Sequence, residues 1–241
     1  MELKIVFQSQ NNIVLPTHYN HILQGFIYNN INDELAQFLH DKGYILESRK
    51  FKLFTYSNIL TKGQLRNSKL YFGKKAEWVV KSPIKEFINS FGNYLLQKDQ
   101  FLLGNNIISV EKTQLKKEKV DNQELIVKTL SPIVAYSTFL KENGSKYTCY
   151  FSPNENDFQR IIRDNIIKKY AAFYGELEED VDFSIKAISN TNLNIVYYKD
   201  FLIKGYSGKF KLTGDKRLLE LALDAGVGSK NSQGFGCIQQ I

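Results

Sequence analysis

The chain has 241 residues, enough for one large domain or for two of about 120 residues each. Hydrophobic residues make up 43% of it and charged residues 24%, with 17 Phe and 14 Tyr, which excludes a disordered protein. No stretch approaches the roughly 18 apolar residues of a transmembrane helix, and residues 1–12 lack the basic and apolar regions of a signal peptide. We therefore expect a cytoplasmic protein with no membrane partner.

Cysteines and histidines are too few and too scattered for a metal site. Cys149 and Cys237 lie far apart without CxxC spacing, so we expect two buried thiols rather than a disulfide framework or a zinc cluster. The histidines, His18, His21 and His40, form no HExxH or other metal-ligand pattern. The sequence therefore predicts neither a metal nor a cofactor.

The positive charge is concentrated in the first half of the chain. The net charge is +7, and residues 1–120 hold 17 Lys and Arg against 10 Asp and Glu, whereas residues 121–241 hold 15 of each kind. The segment from Arg49 to Lys75 contains no acidic residue and has eight cations interleaved with five aromatic residues. Its cations are Arg49, Lys50, Lys52, Lys62, Arg66, Lys69, Lys74 and Lys75. This composition predicts a surface that neutralises phosphates and stacks bases, with a solvated basic loop as the alternative.

Strand and helix patterns alternate along the first half. Residues 2–8 alternate apolar and polar side chains, which predicts a strand, and Thr17 is a plausible cap for the helix that follows. Then come a helical segment from Asp33 that ends before Gly43, a strand at 51–57, a hairpin-like strand region at 68–81, a helix from Pro83 to about Leu96, and a strand at 101–112. The β-α-β-β-α-β order predicts a ferredoxin-like domain at residues 1–120.

The pattern roughly repeats after a polar stretch, residues 115–124, that predicts a linker or hairpin tip. The predicted elements are a strand at 125–136, a helix at 153–174, strands at 183–189, 193–198 and 201–212, a helix at 215–225 and a strand at 235–241. The acidic run Glu176, Glu178, Glu179, Asp180 and Asp182 predicts a solvated loop rather than a metal-nuclease site. We therefore expect a second ferredoxin-like domain at residues 124–241, and an α+β fold of two tandem domains.

A glycine-rich loop, GVGSKNSQGFG at residues 226–236, is the most specific motif in the chain. Its four glycines permit positive φ and close backbone approach, so successive N–H groups could face an anion. The loop is neither a P-loop nor a GxGxxG fingerprint, since Asn231 stands where the latter needs glycine. It also follows a helix and precedes a strand, the reverse of both nucleotide motifs. A helix-ending glycine followed by a flexible turn is the plain alternative.

This GxGxxxxxGFG pattern resembles the glycine-rich loop of the CRISPR repeat-processing endoribonucleases, members of the repeat-associated RNA-binding superfamily. Four further segments, LPTHYNHILQGFIYNNI, FLHDKGY, FKLFTYS and LSPIVAY, are similar to that family's blocks in order and spacing. The resemblance covers essentially the whole chain. It implies a metal-independent endoribonuclease that cleaves CRISPR precursor RNA within repeats by 2′-OH attack, leaving 2′,3′-cyclic phosphate and 5′-OH ends.

The resemblance also implies site residues. Matching positions for the catalytic tyrosine, histidine and lysine are Tyr28, His40 and Lys52. Residues expected to bind RNA are His21, Arg49, Lys50, Arg66, Lys69, Gly226, Gly228, Ser229, Lys230, Asn231, Ser232, Gly234, Phe235 and Gly236. Implied partners are CRISPR repeat RNA and subunits of a CRISPR interference complex, with the chain acting as a monomer or homodimer.

Each catalytic assignment has an alternative. Tyr28 could be a half-buried helix residue, and a tyrosine, with a usual pKa of about 10, is a weak base at neutral pH. His40 could serve as a partner of its helix dipole, and Lys52 could be an outward-facing strand charge. His21, two helical turns before Tyr28, could replace His40 as the essential histidine. A non-catalytic guide-RNA-binding subunit of the same superfamily is the alternative function.

Overall fold

The computed structural model describes residues 1–177, 181–199 and 201–241. Three members of the acidic run, Glu178, Glu179 and Asp180, lie outside the described residues, as does Asp200. The solvated loop expected at that run therefore stays a prediction.

The first half forms one large antiparallel sheet with helices packed on it. Its elements are β1 (Glu2–Gln8), β2 (Val14–Pro16), α1 (Asn20–Tyr28), α2 (Asp33–Gln37), a π-helical turn (Phe38–Lys42), β3 (Tyr44–Leu46), β4 (Arg49–Phe51), β5 (Thr55–Tyr56), β6 (Gln64–Arg66), β7 (Lys69–Tyr71), β8 (Lys75–Lys81), α3 (Lys85–Gln97), β9 (Phe101–Leu103) and β10 (Asn106–Lys116). The sheet has the order β5-β8-β1-β10-β9, and all its neighbouring strands are antiparallel. Small antiparallel pairings join β3 to β4 and β7 to β2 and β6.

The second half has a sheet of its own. Its elements are β11 (Glu124–Thr129), β12 (Tyr136–Leu140), β13 (Lys146–Tyr150), α4 (Asn156–Tyr174), β14 (Phe183–Ala187), β15 (Asn192–Tyr198), β16 (Phe201–Ser207), β17 (Lys209–Gly214), α5 (Lys216–Ala225), a 3₁₀ turn (Asn231–Gln233) and β18 (Ile238–Gln240). Four strands form an antiparallel sheet in the order β14-β17-β11-β18. Two separate hairpins, β12–β13 and β15–β16, extend this half.

The alternation along β1 explains how the first sheet is covered. Leu3, Ile5 and Phe7 share one face of the strand and are buried. On that face the ring of Phe26 from α1 lies 5.5 Å from Phe7 and 6.2 Å from Phe91 of α3, measured between centroids and in edge-on geometry. Both helices therefore pack against β1 on the same side of the sheet.

The second half buries its sheet in the same way. Phe158 of α4 stacks on Phe210 of β17 with ring centroids 6.3 Å apart. Leu218 and Leu219 of α5 have no exposed surface. Within the described ranges, every helix is too short or too polar to cross a membrane. The predicted mixture of helices and antiparallel sheets is thus confirmed.

Two strands predicted in the second half are interrupted in the structure. The strand expected at 125–136 ends as β11 at Thr129. Pro132, which has no N–H to donate to a ladder, follows three residues later, and the chain then enters the β12–β13 hairpin. The strand expected at 201–212 breaks at Gly208 into β16 and β17. A Cβ at Gly208 would lie 3.0 Å from the Thr191 Cγ2 atom, so the turn there needs a glycine or a small shift.

Candidate functional site

The three predicted catalytic side chains lie together. Tyr28 ends α1, His40 lies in the π-helical turn, and Lys52 follows β4. The Tyr28 and His40 rings meet edge to face, with centroids 6.1 Å apart and an angle of 84° between the planes. The Lys52 Nζ atom lies 5.5 Å from the centroid of the Tyr28 ring and 3.4 Å from the His40 carbonyl oxygen. Residues from three separate elements therefore form one cluster, which we call the catalytic cluster.

The π-helical turn explains how His40 reaches this cluster. Gly43 N–H donates to the Phe38 carbonyl oxygen five residues back, at 2.7 Å, which widens the turn and rotates the side chains that follow. Gly43 ends the turn at φ +64, where a Cβ would lie 2.7 Å from the Phe51 carbonyl oxygen. The chain then runs into the β3–β4 hairpin, which ends next to Lys52. A backbone turn at Leu53, with φ +52, separates β4 from β5, so the strand predicted at 51–57 is split.

Asp41 orients His40 and was missed by sequence reasoning, although it adjoins His40 in FLHDKGY. Its Oδ1 atom lies 2.7 Å from the His40 Nδ1 atom, and the hydrogen bond from His40 lowers the pKa of Asp41. A proton on Nδ1 leaves the Nε2 atom of neutral His40 free of hydrogen and able to accept a proton. The His40 side chain is 73% exposed, so substrate can reach it.

Tyr28 and Lys52 are less exposed than His40, and both have shifted pKa values. The Tyr28 hydroxyl is buried and has no hydrogen-bond partner among the described residues. Burial, and secondarily the nearby Tyr198, raises the pKa of Tyr28 well above its usual range, so its hydroxyl keeps its proton at neutral pH. Burial lowers the pKa of Lys52, and the carboxylate of Asp41 opposes this change. Tyr28 is therefore suited to donate a hydrogen bond, and Lys52 is a stronger acid than an exposed lysine.

A basic cleft of about 670 Å³ lies between the two halves and includes Lys52 in its wall. Further cations of the wall come from both halves, namely Arg49, Lys50, Arg160 and Lys230, and the buried Lys169 also belongs to the wall. Within the described part of the chain, Asp164 is the single acidic residue of the wall. Such a balance attracts a polyanion, because each buried or clustered cation gains a counter-charge when phosphates enter.

The glycine-rich loop forms one side of this cleft and is held by its own backbone. Gly226, Gly228, Gly234 and Gly236 all have positive φ, between +71 and +83. At Gly236 a Cβ would lie 1.9 Å from the Val227 carbonyl oxygen, so no other residue fits without a shift of the backbone. The glycines are thus required by the fold of the loop itself.

Most N–H groups of the loop are used inside the protein. Six of them donate to protein carbonyl oxygens: those of Gly226, Val227, Ser229, Gln233, Gly234 and Gly236. The expectation that successive loop N–H groups face an anion is therefore wrong for these six positions. The plain alternative, a flexible turn, does not describe the loop either, since each of these bonds fixes its shape.

Two buried side chains brace the loop from within. The Asn231 amide donates to the carbonyl oxygens of Val227 and Phe235, at 3.1 and 3.0 Å. Lys169 of α4 is 3% exposed, and its Nζ atom donates to the carbonyl oxygens of Gly226 at 2.8 Å and Gly228 at 3.1 Å. The sequence carries no signal for Lys169, because its contact depends on how α4 packs beneath the loop.

Helix α1 connects the loop to the catalytic cluster. Asn20, Gln24 and Tyr28 are spaced four residues apart and share one face of the helix. The Asn20 amide donates to the Gln233 carbonyl oxygen at 3.0 Å, and the Gln24 amide donates to that of Ser232 at 2.5 Å. The second half of the chain thereby fixes the helix that ends at Tyr28.

The residues expected to bind RNA fall into three groups. Arg49, Lys50, Gly228, Ser229, Lys230, Asn231 and Ser232 line the cleft. Gly226, Gly234, Phe235 and Gly236 are buried, so they act on the shape of the loop and present no side chain to the cleft. Arg66 and Lys69 lie on the β6–β7 hairpin and His21 is exposed in the first turn of α1; these three residues are not part of the cleft wall.

Comparison with known proteins identifies the family. Models described as CRISPR-associated protein Cas6, N-terminal, and CRISPR associated protein Cas6, C-terminal, match residues 14–114 and 114–240. The chain is 30% identical to CRISPR-associated endoribonuclease Cas6 1 of Methanocaldococcus jannaschii over 100% of this chain and 93% of the relative. It is 28% identical to CRISPR-associated endoribonuclease Cas6 of Pyrococcus furiosus over 93% of this chain and 83% of the relative.

A solved structure described as CRISPR associated protein Cas6 agrees with this assignment. It superposes with a TM-score of 0.79 at 29% identity and covers 100% of this chain and 99% of its own. The likeness therefore extends through both halves of the chain and through the segment between β10 and β11 that connects them. The resemblance inferred from the sequence motifs is confirmed, and the chain belongs to the CRISPR-associated Cas6 family.

Proposed function

We propose that this protein is an endoribonuclease that cleaves CRISPR precursor RNA within its repeats. The observation that carries the proposal is the convergence of Tyr28, His40 and Lys52 at the edge of a basic cleft. The cleft supplies charge for the RNA backbone, and the catalytic cluster supplies groups that can move protons. Membership of a family whose relatives are named endoribonucleases supports the same function.

We propose a division of labour within the catalytic cluster that needs no metal ion. His40 Nε2 takes the proton of the 2′-OH as the 2′-oxygen attacks the adjacent phosphorus. The Tyr28 hydroxyl donates a hydrogen bond to a non-bridging oxygen of the phosphorane. Lys52 stabilises the negative charge of the phosphorane and gives its proton to the departing 5′-oxygen. The products are a 2′,3′-cyclic phosphate and a 5′-OH, and proton exchange with water restores His40 and Lys52.

The proposal extends to domain architecture and partners. Two tandem ferredoxin-like domains, residues 1–120 and 124–241, are supported by the matching orders β5-β8-β1-β10 and β14-β17-β11-β18, with α1 and α3 in the first half and α4 and α5 in the second. On the basis of the family we propose that the protein acts in the cytoplasm as a monomer or homodimer. It would bind CRISPR repeat RNA and pass its product to subunits of an interference complex.

The test is cleavage of the cognate repeat RNA in EDTA, beside the same RNA with a 2′-deoxy sugar at the cut site. We expect the all-ribose RNA to be cut with cyclic-phosphate and 5′-OH ends, and the deoxy RNA to be bound but left intact. Tight binding without cutting of either RNA would instead indicate a non-catalytic guide-RNA-binding subunit. Cutting that requires Mg²⁺ and ignores the 2′-OH would overturn the proposed chemistry.

A further inference from the structure

One face of α4 forms the floor of the cleft. Ile161, Asn165 and Lys169 are spaced four residues apart on this helix, and all three belong to the cleft wall. Ile161 is apolar, and Lys169 is engaged with the carbonyl oxygens of the glycine-rich loop. Asn165 lies between them on this face, and its Oδ1 atom has no hydrogen-bond partner among the described residues.

Asn165 is buried without a partner. Its side chain belongs to a residue that is only 6% exposed, and its Oδ1 atom has no hydrogen-bond partner among the described residues. The amides of two other buried asparagines, Asn20 and Asn231, each donate to two carbonyl oxygens. A buried amide left unpaired lowers stability, which makes such a residue unusual unless a ligand pairs with it.

The chemistry of Asn165 fits a nucleobase better than a phosphate. A phosphate offers only acceptors, and the cleft already meets acceptors with the cations of Arg49, Lys50 and Lys230. A carboxamide places a donor beside an acceptor, which matches the paired groups on the edge of a base. Among the described residues the Asn165 Oδ1 atom is buried without a donor, and the residue belongs to the cleft wall, so this oxygen is the end of the amide that lacks a partner.

An aromatic side chain stands at the same cleft. Tyr136 belongs to its wall and begins β12, and the Lys230 Nζ atom lies 5.0 Å from the centroid of its ring. Unpaired bases commonly stack on tyrosine rings while their edges are hydrogen-bonded. The cleft therefore contains the two kinds of group that hold a base turned away from its neighbours.

We propose that Asn165 is a specificity-determining residue that hydrogen-bonds the edge of one unpaired nucleobase in the bound RNA. This inference rests on the proposed function, since it takes repeat RNA as the occupant of the cleft. The RNA backbone lies along the cations, and one base turns inward to Asn165 beside Tyr136. Recognition of that base adds sequence selectivity to a surface that otherwise binds phosphates without regard to sequence.

The test is an abasic scan of the cognate repeat RNA, with affinity measured for a set of RNAs that each lack one base. Wild-type protein should lose roughly 10-fold or more in affinity at one position. The N165L variant, of similar branched shape, should bind intact RNA correspondingly less tightly and become indifferent to base removal at that position. N165D, which keeps the shape but loses the donor, should show the same indifference. N156A, changed at an exposed position in the first turn of α4, should keep the wild-type profile.

Stability separates this role from a structural one. Since Asn165 has no partner to lose, N165L should melt at the wild-type temperature or above it. An unchanged abasic profile in folded N165L or N165D would overturn the inference, as would an equal loss of affinity for every RNA of the scan. Cleavage of the intact RNA by the wild type is measured in a separate assay. Binding without cleavage contradicts the proposed function, but the abasic scan still tests whether Asn165 recognises a base. Failure of the wild type to bind repeat RNA would overturn both.

Discussion

Lys169 gives the structure a stability that depends on pH. Its Nζ atom is enclosed beneath the glycine-rich loop and donates to the carbonyl oxygens of Gly226 and Gly228. Burial lowers the pKa of Lys169 from 10.5 to about 7 in the folded protein. The unfolded chain therefore holds a proton at this position over a range of pH in which the folded protein does not.

The size and sign of the effect follow from this difference. Between pH 7 and 10.5 the unfolded state binds the additional proton, so the free energy of unfolding rises with pH by about 1.4 kcal/mol per unit. Over the whole interval the titration of Lys169 changes the free energy of unfolding by up to about 5 kcal/mol. This stability is fully present above pH 10.5 and is lost as the pH falls to 7. A K169M variant removes this dependence and leaves two carbonyl oxygens without their donor, a constant cost of about 1–3 kcal/mol each.

Urea unfolding of wild type and K169M at pH 7, 8, 9 and 10 measures the effect. The stability of the wild type relative to K169M should rise by about 4 kcal/mol from pH 7 to 10. K81M is the matched control, because Cys237, Glu2 and Glu118 outweigh burial and raise the pKa of Lys81. The stabilising contribution of Lys81 itself is fully present below its unfolded pKa of 10.5, so the difference between wild type and K81M should stay nearly flat over this range, changed only by the shift that loss of Lys81 causes in the pKa of the Met1 amine. A flat difference for K169M as well would refute the reasoning.

Two further predictions concern the loop and the cleft. G236A should lose at least about 3 kcal/mol of unfolding free energy, because its Cβ would meet the Val227 carbonyl oxygen at positive φ. The control G25A, which has open space around it in α1, should gain about 0.5–1 kcal/mol. Equal urea midpoints for the two variants would contradict the loop geometry. K50A should reduce the slope of log affinity for repeat RNA against log salt by about 1, while K85A, exposed on α3 outside the cleft wall, should leave it unchanged. Equal slopes would remove Lys50 from the interface.

The sheets were predictable because local pattern and global fold agree in them. Leu3, Ile5 and Phe7 alternate with residues that are polar except for Val6, and the same three side chains form the buried face of β1. The two hairpins were only partly predicted. The strand expected at 193–198 corresponds to β15, whereas β12 and β16 were merged with neighbouring strands and the exposed β13 was not predicted. Pro132 marks one of the breaks in retrospect, through the ladder donor that it lacks.

The candidate site, like the fold, contains residues that could be predicted from the sequence and residues that could not. Tyr28, His40 and Lys52 could be selected because they match motifs of a family, although their meeting depends on the π-helical turn and on the backbone at Leu53. The contribution of α4 could not be predicted, because Asn165 acquires its meaning only when the two halves enclose the cleft. Similarly, the glycine pattern indicated positive φ correctly, but the partners of the loop N–H groups depend on tertiary contacts.

The most direct test of the central claim compares H40A with H21A in single-turnover cleavage of repeat RNA in EDTA. His40 lies against Tyr28 and Asp41, whereas His21 is exposed on α1 outside the cleft wall. We expect H40A to bind the RNA but to cut it about 10²–10⁴-fold more slowly, the usual loss for an acid–base group, and H21A to cut at nearly the wild-type rate. Normal cutting by H40A, or its loss in H21A alone, would contradict the account.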